Sequence, residues 1–177
     1  MKKKSFVIFT IGHGTKSIDE FVDLLKAYEV QRIVDVRTIP RSRHNPQFNK
    51  DILSKSLKKL HIGYIHIKGL GGLRHAKKDS VNTAWRNASF RGYADYMQTG
   101  DFKKNIERLI KIAKQKNIAI MCAESVPWRC HRSLIADALQ VRGILVKNIM
   151  SQNICKDHDL TSWAKVKIFQ VTYPNEL

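Results

Sequence analysis

The chain has 177 residues, 43% of them hydrophobic, with 32 Lys or Arg against 15 Asp or Glu and a formal net charge of +17. That length supports one compact domain with a real core, and no apolar run approaches the ~20 residues of a transmembrane helix, so none is expected. Three cysteines, an odd number, argue against a disulfide framework and for the reducing cytoplasm.

The opening "MKKKSFVIFTIGHG" has a basic head and a short apolar run. It has no small-residue cleavage site and runs into a Gly-His-Gly turn, so it reads as a first strand, Phe6–Ile11, and not as a signal peptide. A helix follows, with Ile18, Phe21, Val22, Leu25 and Tyr28 at helical spacing and a capping box on Ser17 and Glu20. Arg32–Thr38 reads as a second strand and "KDILSKSLKKL" as a second helix. Ile62–Lys68 is a third strand ending in the turn "GLGG". A long connection crosses "FRGYADYMQTG" to a helix from Asp101, with Phe102, Ile106, Leu109, Ile110 and Ala113 on one face. "IAIMCAE" is a fourth strand, "CHRSLIADALQ" a helix stopped near Gly143, and "ILVKNIM" a fifth strand. The C-terminal "KVKIFQVTY" is a candidate sixth strand at a sheet edge.

Alternation of apolar strands with amphipathic helices predicts a single α/β domain over residues 1–177. The expected architecture is a three-layer sandwich, a mostly parallel sheet of five or six strands with helices on both faces. Ligands of such sheets bind beyond the carboxyl ends of the strands. Those positions carry Gly12, His13 and Gly14 after the first strand, Asp35 to Arg43 after the second, Gly69 to Arg74 after the third and Cys122 to Arg132 after the fourth. Charge concentrates in the same region, with eleven Lys or Arg and one acid between Arg37 and Lys78. Such a field attracts polyanions, whether nucleic acid, nucleotides or anionic membrane surfaces; a solvated lysine face is the blander reading, and the clustering shifts the balance toward an anionic partner, with nucleic acid or nucleotide expected and no membrane.

The segments "TIGHG", "DVRTIPRSRHNPQFN", "LGG", "YMQTGDF" and "CAESVPWRCHRSLIADAL" resemble, in order and spacing, family 488 of the domains of unknown function. The resemblance spans roughly residues 8–150 and implies a three-layer α/β fold in which the Cys-x-Glu and Cys-His-Arg elements cluster. It implies no activity. The family often has Ser after Gly-His, where this chain has Gly14.

Cys130 opens a helix among Arg129, His131 and Arg132, a setting that lowers a thiol pKa and suits a nucleophile. Its distance from Leu134 also fits a small core residue, and Cys122, inside an apolar strand, reads as packing. Glu124 and Asp35 follow central strands and suit general acid–base work; a structural ion pair is the commoner reading of each alone, and the two together in one expected cleft favour a site. Arg37, Ser42, Arg43 and Arg132 suit phosphate binding, with His13, Gly71 and Gly72 as close contacts to the ligand. Trp85, Phe90, Tyr93 and Tyr96 are candidate base-stacking residues, although core packing is the commoner fate of such aromatics.

The Cys122–Arg129 spacing is one residue too long for a phosphatase loop, and the second cysteine pair of zinc deaminases is missing. No dinucleotide fingerprint appears, so redox chemistry is disfavoured. No cofactor is expected; a structural zinc on Cys122, Cys130 and His131 is the weaker alternative, because the spacing fits no usual knuckle. The residues therefore point to an enzyme of hydrolytic or transfer chemistry on a nucleotide or nucleic-acid substrate, with Glu124, Cys130, His131 and Asp35 at the reacting centre. A non-catalytic phosphate- or nucleic-acid-binding module is the first alternative and a thiol-based redox sensor the second.

Overall fold

In the computed structural model, which describes residues 6–175, Val7–Gly12 form β1, an inner strand of a six-stranded sheet. The basic head, Met1–Ser5, lies outside the described residues. Next come α1 (Ile18–Ala27), β2 (Arg32–Asp35), α2 (Lys50–Lys59), β3 (Gly63–His66), α3 (Ala88–Tyr96), α4 (Gly100–Ala113), β4 (Ile118–Cys122), α5 (Arg132–Gln140) and β5 (Leu145–Ile149). Three short strands end the chain, β6 (Cys155–Asp157), β7 (Lys165–Lys167) and β8 (Gln170–Thr172). The sheet order is β3-β2-β4-β1-β5-β6, with β1 to β5 parallel and β6 antiparallel to β5. The protein is a three-layer α/β sandwich.

Period-two alternation builds the layers. Along β4, Ile118, Ile120 and Cys122 enter one core with residues of α3, α4 and α5, while Ala119 and Met121 enter the other with α1 and α2. The capping box at α1 is formed: Glu20 N–H donates to Ser17 Oγ at 3.1 Å and Ser17 N–H to Glu20 Oε2 at 2.7 Å. No helix among the described residues is long and apolar enough to cross a membrane.

The second strand ends at Asp35, earlier than its apolar run suggests, because Asp35 Oδ1 accepts the N–H of Arg37 at 3.0 Å and turns the backbone. The connection around "FRGYADYMQTG" contains α3, capped by Asn87, whose Oδ1 accepts from Ser89 and Phe90 N–H. Gly92 interrupts the helical signal there, yet it serves close packing: a Cβ would lie 2.5 Å from the Arg74 carbonyl oxygen. The C-terminal segment is not an edge strand of the main sheet. It folds back on itself as the β7–β8 hairpin, with Ile168 at φ 59° in the turn, and Val171 and Tyr173 bury against the core. The sixth sheet strand is instead β6.

The path that sets the site is simple. The chain lays β1, steps outward to β2 and β3, returns to insert β4 between β1 and β2, and then places β5 on the far side of β1. Register puts Gly12 beside Cys122 and Asp35 beside Met121, so the loops after β1, β2 and β4 leave the sheet together.

Candidate functional site

A cleft of about 480 Å³ opens at these strand ends. His13, Arg37, Ser42, Gly72, Glu124, Cys130 and His131 line it, so the structure brings most of the expected site residues together from four separate loops.

Its floor is a thiol pair. Cys122 ends β4, and Cys130 follows a 3-10 turn, Pro127–Arg129, just before α5. Arg132 donates to Cys130 Sγ from its backbone N–H at 3.5 Å and from Nε at 3.4 Å. His131 Nε2 lies 3.2 Å from the Val36 carbonyl oxygen, which only accepts, so Nε2 carries the proton. Nδ1 then faces Cys130 Sγ at 3.8 Å, placed to take the thiol proton and hold it against the sulfur. Gly72 backs this ring, and a Cβ there would lie 2.6 Å from Nδ1, so a larger residue would push the imidazole away.

Arg132 is 1% exposed. Its remaining donors reach the Glu124 carbonyl oxygen at 2.5 Å and Thr10 Oγ1 at 3.4 Å. It makes no ion pair with a carboxylate among the described residues. A buried cation needs an anion, and the Cys130 sulfur is the group placed to supply one. Cys130 is held well below the usual thiol range, first by a hydrogen bond from Cys122 and then by His131 and Arg132, against the opposing effect of burial. The same hydrogen bond, with burial, pushes Cys122 well above that range. Cys122 is therefore both a core residue and, with its sulfur within 4.8 Å of that of Cys130, a neighbour that helps set the Cys130 charge, a second role its place in an apolar strand does not announce.

Asp35 is 0% exposed and does not line the cleft. Its carboxylate accepts from Arg37 Nη2 at 2.6 Å, Arg37 Nε at 3.0 Å and Tyr64 Oη at 2.6 Å. This corrects the expectation of Asp35 at the reacting centre: it stands behind Arg37 and positions it. Arg37 lines the cleft, but Nη2 also donates to the Phe48 carbonyl oxygen at 2.7 Å. Only its Nη1 edge is left, facing His13 Nε2 at 3.4 Å. Arg37 is thus more anchored than a phosphate clamp requires. Arg43 is exposed and off the cleft wall, whereas Arg41 and Arg129 line it. Gly71 is also off the wall and packs under the Thr38 hydroxyl. Arg132 lies beneath the floor, touching the sulfur and not the opening. Glu124 is exposed on the wall, its Oε1 accepting from Val126 N–H at 3.4 Å.

Of the aromatic residues considered for stacking, only Phe90 lines the cleft. Tyr93 is fully buried, Tyr96 lies under Arg74, and Trp85 packs against Phe90, Trp163 and Tyr173. The wall also contains Ile39 and Leu73, which nothing in their loops marks as functional.

His13 Nδ1 lies 2.8 Å from the Gly14 carbonyl oxygen and must donate to it, which leaves Nε2 as an acceptor for Arg37. The ring stacks on Phe48 at 4.2 Å. Burial chiefly, and the nearby Arg37 charge, lower its pKa from 6.5 to about 4. The folded state therefore resists protonation that the unfolded chain accepts below pH 6.5. The stabilisation is complete above pH 6.5 and is lost as pH falls toward about 4, with a loss on the order of 3 kcal/mol. Urea unfolding from pH 7 to 4 is expected to show a shallower pH dependence for His13→Gln than for the native protein. Equal slopes would remove His13 as the source.

A family model described as "Domain of unknown function DUF488" matches residues 17–139. The chain belongs to this family. The DUF488 match runs from the N-cap of α1 into α5, so it contains Asp35, Arg37 and the whole Cys122–Arg132 segment, while His13 and Thr10 precede it. No curated protein and no solved structure matches the chain.

The metal question bears on the same floor. Cys122 Sγ, Cys130 Sγ and a His131 ring nitrogen lie within 4.8 Å of one another, close enough to share a zinc ion. The buried Arg132 guanidinium already contacts the Cys130 sulfur and neutralises a thiolate there without a dication.

Proposed function

We propose that this protein is an enzyme that uses Cys130 as a nucleophile in hydrolytic or transfer chemistry on a nucleotide or nucleic-acid substrate. The observation that carries the reading is the Cys130 sulfur at the cleft floor, held by two Arg132 donors with His131 Nδ1 beside it. The thiolate attacks an electrophilic carbon or phosphorus of the substrate and forms a bond to sulfur. His131, protonated on Nδ1 by the thiol, returns that proton to the leaving group. In hydrolysis, a water deprotonated by the exposed Glu124 then cleaves the bond to sulfur and regenerates the thiolate; in transfer, an acceptor hydroxyl or amine takes that place. Arg41 and Arg129 bind the substrate's phosphate, and Arg37, fixed by Asp35, orders the wall between them and His13.

The approach of the two sulfurs, within 4.8 Å, favours a second reading, a redox sensor in which the two thiols close to a disulfide when an oxidant such as peroxide takes their electrons. Incubation with nucleotides and short oligonucleotides, followed by intact-mass analysis and product detection, separates the readings. Turnover or a covalent adduct on Cys130, lost in Cys130→Ser, is expected of the enzyme. A loss of two mass units under mild peroxide, with no turnover on any nucleotide or oligonucleotide, favours the sensor. Neither result, with ligand binding intact, favours a binding module.

A further inference from the structure

The floor and the rim of the cleft together narrow the substrate, given Cys130 as the nucleophile. Cys130 is 4% exposed, at the bottom of a space of about 480 Å³. That volume lies in the range of small-ligand sites and has room for one nucleotide. A base inside a duplex cannot enter such a recess without leaving its stack.

The rim is apolar and cationic by turns. Leu73 and Ile39 line it and are 71% and 63% exposed. Trp128, also 63% exposed, precedes the cleft-lining Arg129 on the 3-10 turn. Arg41 supplies a second exposed cation on the wall. Large apolar side chains left in water around a recess mark a contact surface. Arg43 and Lys50 add exposed cations in and just after the same loop, where the Lys50 N–H is tied to the Pro40 carbonyl oxygen at 2.9 Å. The cations on the wall and beside it are more than one nucleotide engages. A cationic track interleaved with apolar and aromatic platforms is the device of single-strand binding. An anionic membrane would match the charge, but it cannot follow the rim down to a recessed sulfur.

We propose that the rim binds a single-stranded segment of nucleic acid, with one unpaired nucleotide entering the cleft and Trp128 stacking on a neighbouring base. Arg41 and Arg129 contact the phosphates on either side of the entering nucleotide. This rests on the reading of the cleft as a nucleic-acid site and specifies the form of its substrate.

Fluorescence anisotropy with a labelled 12-nucleotide single strand, the corresponding duplex and anionic phosphatidylserine vesicles as competitor tests it on the full chain. The single strand is expected to bind at least tenfold tighter than the duplex. Trp128→Ala should weaken it about tenfold, within the range of one lost base–aromatic stack, and Trp128→Phe should recover most of the loss. Removing Arg41 and Arg129 together should reduce the slope of log affinity against log salt by about 1.4. Thermal unfolding of each variant checks the fold. A failed nucleophile shows as no adduct on Cys130 while the single-strand preference and the Trp128 effect persist, so a failed nucleophile and a failed strand site give different results. Equal or tighter binding of duplex, a Trp128→Ala affinity within twofold of native, or binding confined to vesicles would overturn the proposal.

Discussion

Asp35→Ala is expected to destabilise the protein by about 3–5 kcal/mol, the usual cost of leaving one partner of a buried ion pair uncompensated. Arg37 has 6% side-chain exposure and Asp35 none, so water cannot replace the lost carboxylate. The substitution also strips the Tyr64 hydroxyl of its acceptor and removes the bond that turns the backbone after β2. Asp35→Asn, which keeps the shape and one acceptor oxygen, should lose less. Replacing both partners, Asp35→Ala with Arg37→Met, should lose less than Asp35→Ala alone, since no buried charge remains. Urea unfolding curves measure all three. A loss under 1 kcal/mol for Asp35→Ala would mean that Arg37 finds another partner, and its assigned orientation would fall with that result.

This pair marks what the sequence can and cannot convey. The layers were legible because Ile118 to Cys122 and the face of α4 follow their own periods, and the Ser17–Glu20 box announces its helix. The position of the site was legible too, because polar and glycine residues recur just after parallel strands. Roles were harder to read. Asp35 and Glu124 both follow inner strands, yet one is sealed behind an arginine and the other stands in water. The difference comes from Tyr64 on the neighbouring β3, a contact set by strand order and not by sequence distance. Arg41 and Arg43 are two residues apart in one loop, and which of them meets the cleft depends on how Asn49 holds Ser42 N–H at 2.6 Å. Short elements were invisible for a different reason. β6 has three residues, two of them exposed, and no apolar period to detect. The C-terminal run looked like one strand because its hairpin turn uses Ile168 and Phe169, neither of them a turn-forming residue by composition.

Cys130 is expected to be alkylated by iodoacetamide at least tenfold faster than Cys155 at pH 6.5, and Cys122 to be the slowest of the three. The order follows from thiolate content, because only the thiolate attacks. Cys130 is held low by its donors, Cys155 is raised by burial, and Cys122 is raised well above the usual value as the donor to Cys130. Three effects limit the ratio: Cys130 is recessed, its donors are engaged with the sulfur, and a low-pKa thiolate is intrinsically a weaker nucleophile. The shape of the pH profile is therefore the sharper readout. The Cys130 rate should be flat through neutrality, whereas the Cys155 rate should still climb above pH 8. Cys122→Ala removes the S–H donor and should move the Cys130 profile toward higher pH; Arg132→Met should move it the same way by removing the buried cation. The cleft's charge gives an independent handle. Iodoacetate carries the negative charge that Arg41 and Arg129 are placed to attract, so its rate relative to iodoacetamide should be higher at Cys130 than at Cys155, and the difference should shrink with added salt. Peptide mass mapping after timed quenching resolves the three sites. If Cys130 reacts no faster than Cys155 at neutral pH, and Cys122→Ala leaves its profile unmoved, the sulfur is a packed thiol and the nucleophile role is lost.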